Sequence, residues 1–128
     1  MDRPDYLDRE GVPIDLMTWA HLLDDREYAH IARTKLDCML VSTVWLGLDH
    51  SYRKDAPPLI FETMLFGGPM RYEVMGRYAT EAEAEAGHEH AVTLARHQRE
   101  MMTHGQVKQA RDEQRARWNG YKKRARVA

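Results

Sequence analysis

Between residues 28 and 79 the chain repeats one pattern: a run of apolar and β-branched residues, then a short polar or Gly-Pro break. YAHIARTKL gives way near Asp37-Cys38 to LVSTVWLGL. SYRKDAPP then leads into LIFETMLF, and Gly67-Gly68-Pro69 turns the chain into MRYEVMGRYA. Runs of this length bounded by turn residues read as strands, and connections this short join antiparallel neighbours. The pattern predicts a four-stranded antiparallel meander.

Helix signals flank the strands. Asp15 is placed to cap a short helix in which Leu16, Trp19, Ala20 and Leu23 share a face. Thr80 followed by Glu83 is a capping box, and the Ala-rich run behind it predicts a long helix to about His104, where Gly105 stops or kinks it. A second helix, QVKQARDEQRARW, has Lys108/Asp112 and Glu113/Arg117 at i,i+4 and is expected to end at Asn119-Gly120. The fold class is therefore α+β: a four-stranded antiparallel sheet, a short N-terminal helix, a long helix packed on the sheet and a basic C-terminal helix. Residues 1–104 are expected to form one domain and residues 105–128 a basic helical extension.

A chain of 128 residues can bury a real core, and 43% apolar with 30% charged residues excludes a disordered chain. No apolar run reaches the ~20 residues of a membrane span, and MDRPDYLDREG is neither a signal nor a transit peptide. The single Cys38 excludes an internal disulfide, and no Cys cluster exists for zinc. A reducing, cytoplasmic setting is expected. The net charge of −1 conceals segregation, with −5 over residues 1–27, −2 over 28–104 and +6 over 105–128. Such a basic end meets either the acidic start of the same or another copy, or an external acidic partner.

Strand alternation sorts the candidate site residues. One set in VSTVWLGLDH is Val44, Leu46, Leu48 and His50; in PPLIFETMLFG it is Leu59, Phe61, Thr63 and Leu65. If these apolar sets share the core face, the other face gathers Trp45, Asp49, Ile60, Glu62, Met64 and Phe66. Three readings of that mixed face stand open. The N-terminal helix covers it through Leu16, Trp19 and Leu23, with Glu62 paired to Arg33 or Arg77. Alternatively, Trp45, Asp49, Glu62, Met64 and Phe66 form a surface for a ligand or partner. A third reading makes Asp49, His50 and Glu62 an acid–base site, or Trp45, Asp49 and Glu62 a small-ligand site, although on this register His50 points away from both carboxylates.

His90, His97 and His104 repeat every seven residues along one stripe of the long helix, beside Glu100. An exposed or pairing helix face explains the stripe better than a metal site, and His88 reads as a satisfied core-edge histidine. The basic tail combines Arg111, Arg115, Arg117, Lys122, Lys123 and Arg124 with Trp118 and Tyr121, the mixture that neutralises phosphates and stacks on bases. No helix-turn-helix, zinc finger or RNP signature accompanies it. No catalytic nucleophile, metal set or cofactor loop is recognisable, since Gly67-Gly68-Pro69 is turn chemistry.

The succession STVWLGLDHS, PPLIFETMLFGG and RYATEAEAEAGHEHAV resembles a group of small uncharacterised proteins of tailed phages and prophages, over residues 40 to 92. RYATEAEAEA also resembles, over a short stretch, the strand-to-helix junction of three-stranded DNA-binding domains of the AP2 type. The phage resemblance implies a non-catalytic interaction protein of the host-takeover or anti-defence kind. It would act by protein–protein contact, as a homo-oligomer or in a larger assembly, without cofactor, in the host cytoplasm or the virion. One alternative is a virion or assembly component whose basic helix contacts acidic neighbours or DNA. The other is a nucleotide-sequestering or hydrolytic protein.

Overall fold

The structure is a computed structural model that describes residues 4–49, 55–68 and 71–127, with side chains as far as residue 120. It is α+β. Two short strands, β1 (Tyr6–Leu7) and β2 (Pro13–Ile14), pair antiparallel within what the sequence presents only as a polar lead-in. Helix α1 (Leu16–Asp24) starts where expected, with the Asp15 carboxylate accepting the Thr18 N–H at 2.8 Å. A one-turn helix, α2 (Arg26–Ala29), follows on Asp25 as its cap.

The meander is β3 (His30–Leu36), β4 (Met39–Trp45), β5 (Phe61–Phe66) and β6 (Tyr72–Tyr78), hydrogen-bonded in the order β3-β4-β5-β6 with every pair antiparallel. Asp37 makes the tight β3–β4 turn in the left-handed region, at φ 55°, which a short polar side chain tolerates. Helix α3 (Glu81–Met101) begins on Thr80, whose hydroxyl accepts the Glu83 N–H, while the Glu83 carboxylate reaches back to the Ala79 N–H. After a break at Met102-Thr103, α4 (His104–Val127) carries Gly105 in its first turn and runs through Asn119-Gly120 to the end. The sequence places the helix end too early. Lys108 pairs with Asp112 as expected, but Glu113 turns across to Arg71 at 3.4 Å.

Helix α3 covers one face of the sheet with small residues, Ala84, Ala91, Val92 and Ala95, set against Met39, Val41, Trp45, Phe61 and Leu65. Two apolar clusters result. One lies toward Met39, Val41 and Leu65 and includes Val107 and Ala110, so the first turns of α4 join the core. The other surrounds Trp45, Ile60 and Phe61 and is closed by Trp19, Leu22 and Tyr28 from the N-terminal elements. Leu16 and Leu23 point outward, so of the expected set Trp19 seals the end of the core, joined by Leu22. Gly47, at φ 71°, lets the chain leave β4 between two indoles; an added Cβ would meet both Trp19 and Trp45 at 2.6 Å.

Between the two clusters lies a polar bridge. His88 is 1% exposed, with Nδ1 2.7 Å from Thr43 Oγ1 and Nε2 2.8 Å from Thr34 Oγ1; Thr43 Oγ1 is 2.5 Å from Thr63 Oγ1. A neutral imidazole donates from one nitrogen and accepts at the other, and the hydroxyls rotate to match. Among the described residues no buried side-chain polar atom lacks a partner. Burial holds His88 below the usual imidazole range, with Glu89 opposing weakly.

Candidate functional site, a basic groove beside the open sheet face

Strand pairing sets Val44 opposite Glu62 and Trp45 opposite Phe61. The inward set on β4 is therefore Met39, Val41, Thr43 and Trp45, and the register expected from the apolar set Val44, Leu46 and Leu48 is one residue out. Trp45 is fully buried under α3, edge-on to Tyr28 with ring centroids 5.0 Å apart, and its indole N–H donates to the Leu7 carbonyl at 3.0 Å. It does not share a surface with Glu62. Asp49 lies beyond the end of β4 and accepts the Leu59 N–H at 3.0 Å, a bond that ties the loop to the strand start. Glu62 pairs with Arg77 on β6 at 3.0 Å, whereas Arg33 lies at the β3 edge of the same face and lines a groove there. His50 lies outside the described residues.

The outer face of the sheet thus keeps Glu62, Met64 and Phe66 from the expected group. It adds Leu40, Ser42 and Val44 from β4, Arg33 and Lys35 from β3, and the exposed Tyr72 and Val74 from β6. At one corner this face meets α4. On that helix Val107 and Ala110 are buried, and the same stripe continues through Arg111, Gln114, Arg115 and Trp118 at helical spacing. The strand residues Arg33, Lys35, Leu40 and Phe66 and this stripe line an open groove of about 1240 Å³, with Arg26 and Arg117 also on its wall. Trp118 is 55% exposed there.

Asp37 links the elements around the groove. Its carboxylate accepts from Arg111 at 2.7 Å and from Arg99 at 2.9 Å, so one turn residue joins the β3–β4 hairpin, α3 and α4. Hydrogen bonds from Arg111, then from Arg99, hold its carboxyl below the usual carboxylate range and raise Arg111 in return. Beside it, Gly67 adopts φ 82°, and a Cβ there would fall 2.2 Å from the Cys38 carbonyl oxygen. The two hairpin turns touch at this point, and Cys38 and Gly67 both line the groove.

Of the basic residues expected to bind a partner, Arg111, Arg115, Arg117 and Trp118 come together on the groove wall. Tyr121, Lys122, Lys123 and Arg124 continue the α4 backbone, but their side chains lie outside the described residues. Arg26, Arg33 and Lys35 join the wall, although the sequence does not mark them as partner-binding. The signal for two of them is in HIARTKL, where alternation places Arg33 and Lys35 on one strand face. His90, His97 and His104 are exposed along their helices, and no group of three or more potential metal-ligating side chains exists among the described residues. No described helix is long and apolar enough to cross a membrane. Comparison with protein-family models, curated proteins and solved structures finds no match.

Proposed function

We propose that this chain is a non-catalytic binding protein of phage or prophage type that holds an acidic macromolecule, of host or phage origin, in the groove between α4 and the sheet. The supporting observation is the make-up of the wall: six bases, Arg26, Arg33, Lys35, Arg111, Arg115 and Arg117, against one acid, Asp37. In a chain of net charge −1 this is a local concentration of one sign, which raises the local concentration of an oppositely charged partner. The carboxylates Glu62 and Asp49 lie away from this wall, Glu62 paired with Arg77 and Asp49 accepting the Leu59 N–H. The phage setting rests on the sequence resemblance alone.

Binding to a heparin oligosaccharide, as a generic polyanion, tests the reading. The full chain is expected to bind with an affinity that falls steeply with salt, and Arg33→Glu combined with Arg115→Glu to abolish binding while circular dichroism stays unchanged. Equal binding by the parent and the variant would remove the groove from consideration. A second reading, association of two copies, is favoured by the exposed Tyr72 and Val74 beside Met64 on the outer face. Native mass spectrometry decides it: multiples of the chain mass support association, and a single chain mass at micromolar concentration rules it out.

A further inference from the structure

We infer that the ligand of the groove is a single-stranded nucleic acid, its phosphates held by Arg33, Lys35 and Arg115 and a base stacked on Trp118. The inference rests on the anionic-partner reading above and narrows it. Size gives the first argument. A space of about 1240 Å³ exceeds the ~300–1,000 Å³ of sites that enclose a small molecule, so it suits a segment of a chain better than a free nucleotide.

The placing of side chains gives the second. Arg33 and Lys35 stand two residues apart on one strand face, and Arg115 and Trp118 stand one turn apart on the helix opposite. A strand that enters between them meets cations on both sides and an indole on one. Guanidinium groups bind phosphate oxygens two at a time, which a lysine-rich wall would not do. The floor, Leu40 and half-buried Phe66, is apolar and offers a dry surface under a sugar or base. Gln114, between Arg111 and Trp118 on the stripe, presents both a donor and an acceptor to a base edge.

Trp118 separates the possible polyanions. An acidic peptide offers carboxylates to the cations but no regular series of flat faces for an indole that is more than half exposed. In a duplex the faces are already stacked on one another, so only an unpaired strand gives Trp118 a base. Gain from such stacking does not depend on the identity of the base, and binding without strong sequence preference is expected.

The test is fluorescence anisotropy of a labelled oligothymidine of about 20 nucleotides, longer than the ~4–16-nucleotide footprint of comparable single-strand sites. It is titrated with the full chain between ~50 and ~200 mM salt, with a duplex and a polyglutamate peptide as competitors. Binding is expected to weaken with salt, and Arg33→Glu with Lys35→Glu to flatten the log–log slope by about 0.7 for each phosphate no longer neutralised. Trp118→Ala, its fold checked by circular dichroism, is expected to weaken binding about tenfold with the slope unchanged. Polyglutamate bound and oligothymidine refused would overturn the nucleic-acid assignment while leaving an acidic protein partner in place. Refusal of every polyanion would overturn both readings. A duplex that competes as well as the single strand, or a Trp118→Ala chain that binds like the parent, would overturn the single-strand assignment.

Discussion

The two faces of one sheet are built from the same four strands and obey opposite rules. On the inner face even the polar residues are fully spoken for, because Thr34, Thr43 and Thr63 hand their hydroxyls to one another and to His88 beneath α3. On the outer face Arg33 and Lys35 flank half-buried Leu40, Met64 and Phe66, with the Glu62–Arg77 pair among them. Polarity alone does not tell a core strand from a binding strand. What differs is that the inner polar groups are buried together with their partners, whereas Arg33 and Lys35 stay exposed, and a closed network can be buried as readily as an apolar one.

That contrast can be broken from the inside. Trp45→Ala is expected to have the largest effect, about 3–5 kcal/mol, because it empties the second cluster and strands the Leu7 carbonyl. Urea unfolding followed by far-ultraviolet circular dichroism measures it; a loss below ~1 kcal/mol would mean that Trp45 faces solvent. Thr43→Val keeps the shape but removes the hydroxyl that joins His88 to Thr63, and a loss of about 1–3 kcal/mol is expected. A neutral result there would show that the bridge is closed by other groups.

A gentler probe is pH. Burial keeps His88 neutral in the folded chain and below its usual value of 6.5, so the unfolded chain takes up the proton first. Stability attributable to this group is complete above pH 6.5 and is lost as pH falls from there through the folded-state value. The urea midpoint of the parent should therefore drop more between neutral and mildly acidic pH than that of His88→Gln. Parallel curves would place the titration elsewhere. The smallest effect belongs to the outer face: Val74→Thr, at a residue 45% exposed, should change stability by less than about 0.5 kcal/mol. A larger loss in concentrated solution, absent on dilution, would reveal a second copy seated on that face.

Much of this architecture was legible in the sequence. The breaks at Asp37-Cys38 and Gly67-Gly68 do separate the strands, and Asp15 and Thr80 do open their helices. Glu62 was readable too, since alternation put it on the face opposite Phe61 and Leu65, with Arg77 within reach. The inner and outer sets of β4 were not. Leu46 and Leu48 extend its apolar pattern past Trp45, where the backbone leaves the ladder at Gly47, and they outvote Thr43, whose burial depends on partners from β5 and α3. The groove was only half visible for the same reason. Arg111, Arg115 and Trp118 mark a helix stripe, but that it faces Arg33 and Lys35 depends on the docking of Val107 and Ala110 in the core and on the Asp37–Arg111 pair, between residues 74 positions apart.

That single carboxylate has a mechanical side. Helix α4 is secured near its start by Val107, Ala110, the Asp37–Arg111 contact and the Glu113–Arg71 pair, and its backbone runs on for about 25 Å past Ala110 at ~1.5 Å per residue. Geometrically it is a cantilever with its rivet at the hairpin turn. A load applied near Trp118 arrives at Asp37 as a torque, multiplied by the length of the arm. A place to listen for an occupied groove is therefore the rivet as well as the wall, since a strand turn, two guanidinium groups and one acid meet there.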